Sequence, residues 1–270
     1  MITHHTFELE PWAVRESQLD LERLAQSESI FALSNGHIGL RGNLEEGEPH
    51  GMPGTYLNGV HEVRPLPYAE AGYGFPESGQ TILNVTNGKL IRLLVDDEPF
   101  DVRYGRLQSH ERVLDLRAGV LRRTVDWISP AGGRVRLKTT RLVSFVQRAV
   151  AAISYEVEPV DGPLRVVVQS ELVTNEPLPE SAQAEDPRAA AALANPLHAE
   201  TCIARDLAAL LAHSTKGSKL LMAAAMDHVI DGPEGISASS EAIEDEARVT
   251  VAADLPQGQS LRIVKFVAYG

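Results

Sequence analysis

Between Ser34 and Gly59 the chain reads SNGHIGLRGNLEEGEPHGMPGTYLNG, a run in which Arg41, Asn43 and the adjacent Glu45 and Glu46 stand among repeated glycines. Glycine-rich loops can cradle phosphates, so spacing has to decide whether this one does. A dinucleotide fingerprint needs G-x-G-x-x-G between a strand and a helix, which brings the pyrophosphate to the helix N-terminus. Gly36, Gly39 and Gly42 instead follow G-x-x-G-x-x-G, and LRGNLEEGEP does not open a helix. A Walker loop requires Gly-Lys followed by Ser or Thr, and no such triplet occurs. Both phosphate readings fail, and no cofactor is expected.

Carboxylate pairs come next, because glycoside hydrolysis uses one as acid and a second as base or nucleophile. Glu45 and Glu46 are neighbours in sequence, and neighbours on an extended chain point to opposite faces. They are therefore not expected to flank one bond, and acidic runs are expected at the surface. Nine histidines are present, none at helical i, i+4 spacing, so no metal site is expected. His61 beside Glu62 and His110 beside Glu111 face apart if they lie on strands. There is no G-x-S-x-G nucleophile elbow. What remains is a set of polar residues on glycine-rich loops: Asn35, His37, Arg41, Asn43, Asn58, His61 and Tyr73. Polar groups on loops carried by a rigid sheet commonly serve recognition.

The elements that must hold these loops have a period of two. KLIRLLVDDEPFDV, HERVLDLRAGVLRRTVDWIS, GRVRLKTTRLVSFV, AVAAISYEVEPV, PLRVVVQSELV and LRIVKFVAYG alternate apolar with polar side chains at strand spacing. Turn signals (VDDEP, RAG, SPAGG, VDGP, LPQGQ) separate them, and SPAGG reads as a hairpin loop. A dozen or more strands exceed an immunoglobulin-sized sandwich, so the expected fold is all-β, a large antiparallel two-sheet sandwich. SQLDLERLAQSESIFAL is expected to hold a single helical turn. The alanine-rich, proline-bracketed stretch near 176–198 is read as a surface insertion in one domain spanning 1–270.

Composition narrows the function classes. With 37 acidic against 25 basic residues the net charge is −12, which disfavours nucleic acid as a partner. The basic run from Leu121 to Arg141 alternates with Val, Leu and Thr, and its cations are expected on the solvent face of a strand pair. No apolar run reaches membrane-spanning length, and no secretory signal opens the chain, so a cytoplasmic setting without membrane contact is expected. Cys202, the single cysteine, sits among apolar neighbours and is expected to be a buried thiol.

The opening segment resembles glycoside hydrolase family 65, the maltose, trehalose and kojibiose phosphorylases and some α-glucoside hydrolases. The family's E-S-x-F-x-L-x-N-G-x-x-G-x-R-G-x-x-E-E run is matched by Glu28, Ser29, Phe31, Leu33, Asn35, Gly36, Gly39, Arg41, Gly42, Glu45 and Glu46. Pro53 to Tyr56 then match P-G-T-Y, and Leu83–Lys89 and Leu93–Asp101 mirror strands that follow. The likeness is specific to about Val150 and generic strand pattern beyond. It implies an N-terminal β-supersandwich similar to galactose mutarotase, followed in the family by an (α/α)6 barrel that carries the catalytic glutamate and the phosphate site. This chain has no run of helices that could form that barrel. By the resemblance, no catalytic residue is present here. The chain's partner would be its own C-terminal barrel, with inorganic phosphate as co-substrate if the parent is a phosphorylase; a homodimer stays open. Asn35, His37, Arg41, Asn43, Glu45, Glu46, Asn58 and Tyr73 are candidates for the substrate rim or the contact with that domain.

Two other function classes compete. A free-standing carbohydrate-binding module would stack Trp12, Tyr56 or Tyr73 on sugar rings, although aromatics make up only 5% of the chain. An aldose epimerase would need His61 or His110 to converge with Glu171, which the sequence does not indicate.

Overall fold

The computed structural model describes residues 7–66, 68, 70, 72–177 and 194–270. In chain order its strands are β1 (Glu8–Glu10), β2 (Ala13–Glu16), β3 (Leu33–Ser34), β4 (Ile38–Leu40), β5 (Thr55–Leu57), β6 (His61–Pro65), β7 (Ser78–Ile82), β8 (Ile91–Val95), β9 (Glu98–Pro99) and β10 (Arg106–Asp115). The longer strands follow: β11 (Val120–Ile128), β12 (Arg134–Val143), β13 (Val150–Pro159), β14 (Leu164–Val173), β15 (Leu197–Arg205), β16 (Ala208–Thr215), β17 (Leu221–Asp231), β18 (Ser237–Ile243), β19 (Glu246–Leu255) and β20 (Leu261–Tyr269). A 3-10 turn (Leu21–Arg23) runs into a short helix, α1 (Leu24–Ile30). The Asp20 carboxylate caps that turn by accepting the Glu22 N–H at 3.0 Å.

All strand pairs are antiparallel. The large sheet has ten strands in the order β1-β2-β10-β11-β12-β13-β20-β17-β16-β15, and a five-stranded sheet, β18-β19-β14-β8-β9, packs on it. Two smaller sheets, β3-β4-β5 and β6-β7, complete the all-β architecture. The last strand, β20, lies between β13 and β17 in the middle of the large sheet. Alternation explains the layering: along β13 every second residue from Ala151 to Pro159 is buried, and the same rule holds along β12 and β19. The core between the sheets includes Trp127, whose ring meets Phe100 edge-on with centroids 5.1 Å apart. The SPAGG segment closes the β11–β12 hairpin, with Ser129 N–H bonded to the Gly133 carbonyl at 2.8 Å.

Three expectations are corrected. Arg123 and Arg141 do not face solvent; both are buried between the layers, because they share the inward parity of Leu121 and Val125 and of Leu137 and Val143. Cys202 is exposed on the edge strand β15, not buried. The segment carrying Glu45 and Glu46 is a turn closed by Gly47 N–H on the Leu44 carbonyl (3.2 Å), so the two side chains are free to point the same way. Both carboxylates are buried. The helical stretch is one 3-10 turn plus seven residues of α-helix. Most of the expected insertion, residues 178–193, lies outside the described residues.

Candidate functional site

The glycine-rich segment passes into the sandwich as irregular backbone, and such a path strands carbonyls that neither water nor a strand ladder can reach. Arginines from the large sheet supply the missing donors. Arg141 on β12 donates to the Arg41 carbonyl (3.1 Å) and the Asn43 carbonyl (2.9 Å). Arg112 on β10 donates to the Gly42 carbonyl between them (3.0 Å). Two lysines act alike: Lys89 reaches the Gly54 carbonyl at 3.0 Å, and Lys265 on β20 reaches the carbonyls of Glu171 (2.7 Å) and Leu90 (3.2 Å).

Buried cations need counterions, and the same segment brings them. Arg123 on β11 grips Glu46 with two parallel bonds, 2.6 and 2.7 Å, and reaches Glu45 at 3.2 Å. Arg141 holds the other oxygen of Glu45 at 2.6 Å. Arg112 pairs with Glu16 at 2.6 Å, and Glu16 accepts the Ser27 hydroxyl of α1 at 2.7 Å. Burial alone would raise the Glu45 carboxyl; Arg141 and Arg123 outweigh it and hold the group below its ordinary range. Arg123 also donates to Nε2 of His110 at 3.1 Å, which puts that ring's proton on Nδ1. Burial, with Arg123 and Arg112 behind it, drives His110 down to about 2. Burial likewise lowers Lys89 and Lys265, each to about 7.

The eight candidates fall into four places. Asn35 closes the β3–β4 turn by accepting the His37 and Ile38 N–H groups, both at 2.9 Å. Its amide also donates to the carbonyls of Ser144 (2.6 Å) and Arg148 (2.9 Å). Asn58 donates its N–H to the His37 carbonyl at 2.8 Å, so Asn35, His37 and Asn58 do lie together. Arg41 binds α1 through the Ser29 hydroxyl (2.9 Å), the Ala25 carbonyl (2.8 Å) and Glu28 (3.3 Å), while Asn43 donates to the Met52 carbonyl (2.8 Å). Glu45 and Glu46 sit in the buried ion cluster, and Tyr73 is fully exposed on the loop between β6 and β7. His61 and Glu62 face apart, Glu62 inward to the N–H groups of Gly217 and Ser218 (2.8 Å each). Glu171 is held by Arg92 (3.0 Å) and Arg248 (2.9 Å).

Sequence reasoning missed Glu16, Glu28, Arg112, Arg123 and Arg141 as a connected set. The arginines were marked by their parity with apolar neighbours. Glu28 carried no periodic mark, although its carboxylate receives the Gly51 and Met52 N–H groups at 2.9 and 3.0 Å. Each carboxylate of the cluster is clamped by guanidinium groups or backbone donors, which fixes its geometry, while Arg112 Nη2, Arg141 Nε and His110 Nδ1 have no hydrogen-bond partner among the described residues. A shallow apolar depression of about 320 Å³ lies on the large sheet's outer face, lined by Ile203, Leu210, Ala225 and Phe266 and by none of the eight candidates. Among the described residues there is no group of three or more His, Cys, Asp or Glu able to hold a metal, and no helix long and apolar enough to cross a membrane.

Comparison with known proteins fits this architecture. A protein solved as a provisionally assigned kojibiose phosphorylase from human microbiome superposes with a TM-score of 0.84 at 20% identity, over 98% of this chain and 33% of that one. At that identity it speaks for the fold. An uncharacterized glycosyl hydrolase of Mycobacterium tuberculosis (strain H37Rv) is 60% identical over the whole chain, which spans 34% of that protein. The α,α-trehalose phosphorylase of Thermoanaerobacter brockii is 34% identical over 97% of the chain, again 34% of that protein. The chain thus spans about a third of the length of these curated relatives. The family model for the N-terminal domain of glycosyl hydrolase family 65 matches residues 14–270. The chain belongs to glycosyl hydrolase family 65 and constitutes its N-terminal β-sandwich domain.

Proposed function

We propose that the chain is the accessory domain of a cytoplasmic family 65 enzyme that acts on an α-linked glucose disaccharide. It supports the catalytic (α/α)6 domain and contributes one rim of the substrate site. The observation that carries this reading is the saturation of Glu45 and Glu46 by Arg123 and Arg141, which leaves the family's signature residues to brace the fold. Relatives named as trehalose and maltose phosphorylases support the substrate class. Asn35, His37, Asn58 and Tyr73 keep surface available for contact with sugar or with the catalytic domain. Incubation of the purified 270-residue chain with maltose, trehalose or kojibiose, with and without inorganic phosphate, is expected to release neither glucose nor glucose 1-phosphate. Turnover above an inactive control overturns the reading.

A second reading has one observation in its favour. Tyr68 and Phe75 meet with ring centroids 5.0 Å apart and planes tilted by 48°, on the same exposed loop as Tyr73, a group of exposed aromatic rings of the kind that meets sugars. Calorimetry with glucose disaccharides at millimolar concentration decides it, a saturable heat favouring a carbohydrate-binding module and a flat titration favouring the accessory role.

A further inference from the structure

The two ends of the large sheet differ sharply. Strand registers put Asp115, Val120, Val143, Val150, Thr215 and Leu221 at one end, with the loops 116–119, 144–149 and 216–220 between them. Trp12, Leu116, Phe145, Val146, Leu220 and Leu221 are exposed there, Phe145 by 73% and Val146 by 88%. The opposite end is formed by loops 100–105, 129–133, 160–163, 206–207, 232–236 and 256–260, where Tyr104 is the one exposed large hydrophobic side chain. Apolar exposure gathered at one end of a fold marks an interaction surface.

Charge separates the ends as well. The three loops of the apolar end bring Arg117, Arg148, Lys216 and Lys219, all exposed, and no carboxylate, in a chain of net charge −12. The apolar end is also braced. The Asn35 amide holds the carbonyls of Ser144 and Arg148, and the Glu62 carboxylate holds the N–H groups of Gly217 and Ser218. Phe145 and Val146 are therefore presented on a braced loop and Leu221 at the start of β17, which lowers the entropy lost on docking.

We infer that this end of the sandwich, centred on Phe145, Val146 and Leu221, is the docking face for the polypeptide that follows the position of Gly270 in the longer relatives. The inference rests on the accessory-domain reading and names the surface it requires. Gly270 exchanges hydrogen bonds with Ala223 (3.1 and 2.7 Å) two residues from Leu221, so a continuing chain emerges inside the patch. The matched family model is described as an N-terminal domain, and this chain spans 34% of the length of two relatives. The occupant is expected to present an apolar surface rimmed by carboxylates, complementary to the four cations.

Hydroxyl-radical footprinting of the full-length polypeptide against the 270-residue chain tests this. Labelling of Trp12, Phe145 and Leu221 is expected to fall several-fold in the longer protein, while Tyr104 at the opposite end is unchanged. Equal labelling in both overturns the docking face and leaves the accessory role standing; a reading frame that stops at codon 270 overturns both. A triple variant, F145D/V146D/L221D, is expected to melt like the parent as the 270-residue chain and to be cleaved several-fold faster near residue 270 in the full-length form. Cleavage at the parent rate counts against the proposal. Concentration-dependent dimerisation of the short chain that the triple variant abolishes assigns the face to a second copy and also overturns it.

Discussion

At the scale of single residues, the central fact is that Arg123 neutralises two adjacent glutamates that sequence logic set on opposite faces. Removing one member of a buried ion cluster leaves charge without a partner in a low-dielectric interior. Replacing Arg123 with Met strands Glu46 altogether and deprives Glu45 of one of its two arginines. R123M is expected to lower unfolding free energy by about 3–5 kcal/mol, measured by urea denaturation. The triple variant R123M/E45Q/E46Q should recover part of that loss, since it deletes the orphaned charges too. If R123M melts like the parent, the cluster has no structural weight.

At the scale of elements, α1 docks where the glycine-rich segment has no side chain. A Cβ added at Gly51 would stand 2.5 Å from the Cα of Ala25, a contact with backbone that cannot swing aside. One added at Gly39 meets its nearest neighbour at 3.8 Å. G51A is therefore expected to cost about 1–3 kcal/mol by overpacking, against a near-neutral G39A, in the same urea assay. Gly47 serves the turn of Glu45 and Glu46 differently, through a φ of +84° that other residues resist. Strands and hairpins were legible in the sequence because burial on one face imposes period two. The same period marked Arg123 and Arg141 as inward, but reading every cation as solvated hid the mark. The inward fate of Glu45 and Glu46 carried no comparable sign. Their segment is aperiodic, and their partners lie 77 to 96 residues away.

At the scale of the whole molecule, buried bases make stability depend on pH over a wide window. Burial, with Lys265 nearby, holds His228 at about 4, and His110 lies at about 2, both below the unfolded value of 6.5. As pH falls below 6.5 the unfolded chain takes up these protons first, so the folded state loses stability by up to about 1.4 kcal/mol per pH unit for each ring. Lys89 and Lys265, at about 7 when folded against 10.5 unfolded, act in the same direction at higher pH. Between 7 and 10.5 the unfolded state binds more protons, so stability contributed by these two groups rises with pH. Urea midpoints are thus expected to climb from pH 5 through pH 9, and K265M to flatten the climb above pH 7. A midpoint that peaks near neutrality in the parent chain contradicts this.

The place of β20 has a consequence for how the chain comes to be folded. Eight of the ten large-sheet strands divide into β10-β11-β12-β13 on one side and β17-β16-β15 on the other, with β20 the link between them. Until residues 261–269 have been synthesised, the two halves share no backbone pairing, and Lys265 cannot reach the carbonyls of Leu90 and Glu171. Assembly therefore waits on a strand about 100 residues downstream of its β13 partner, a topology that places this domain among slow, late-closing folders. A nascent chain halted before Leu261 would expose two unmatched sheet edges, a natural target for chaperones during translation.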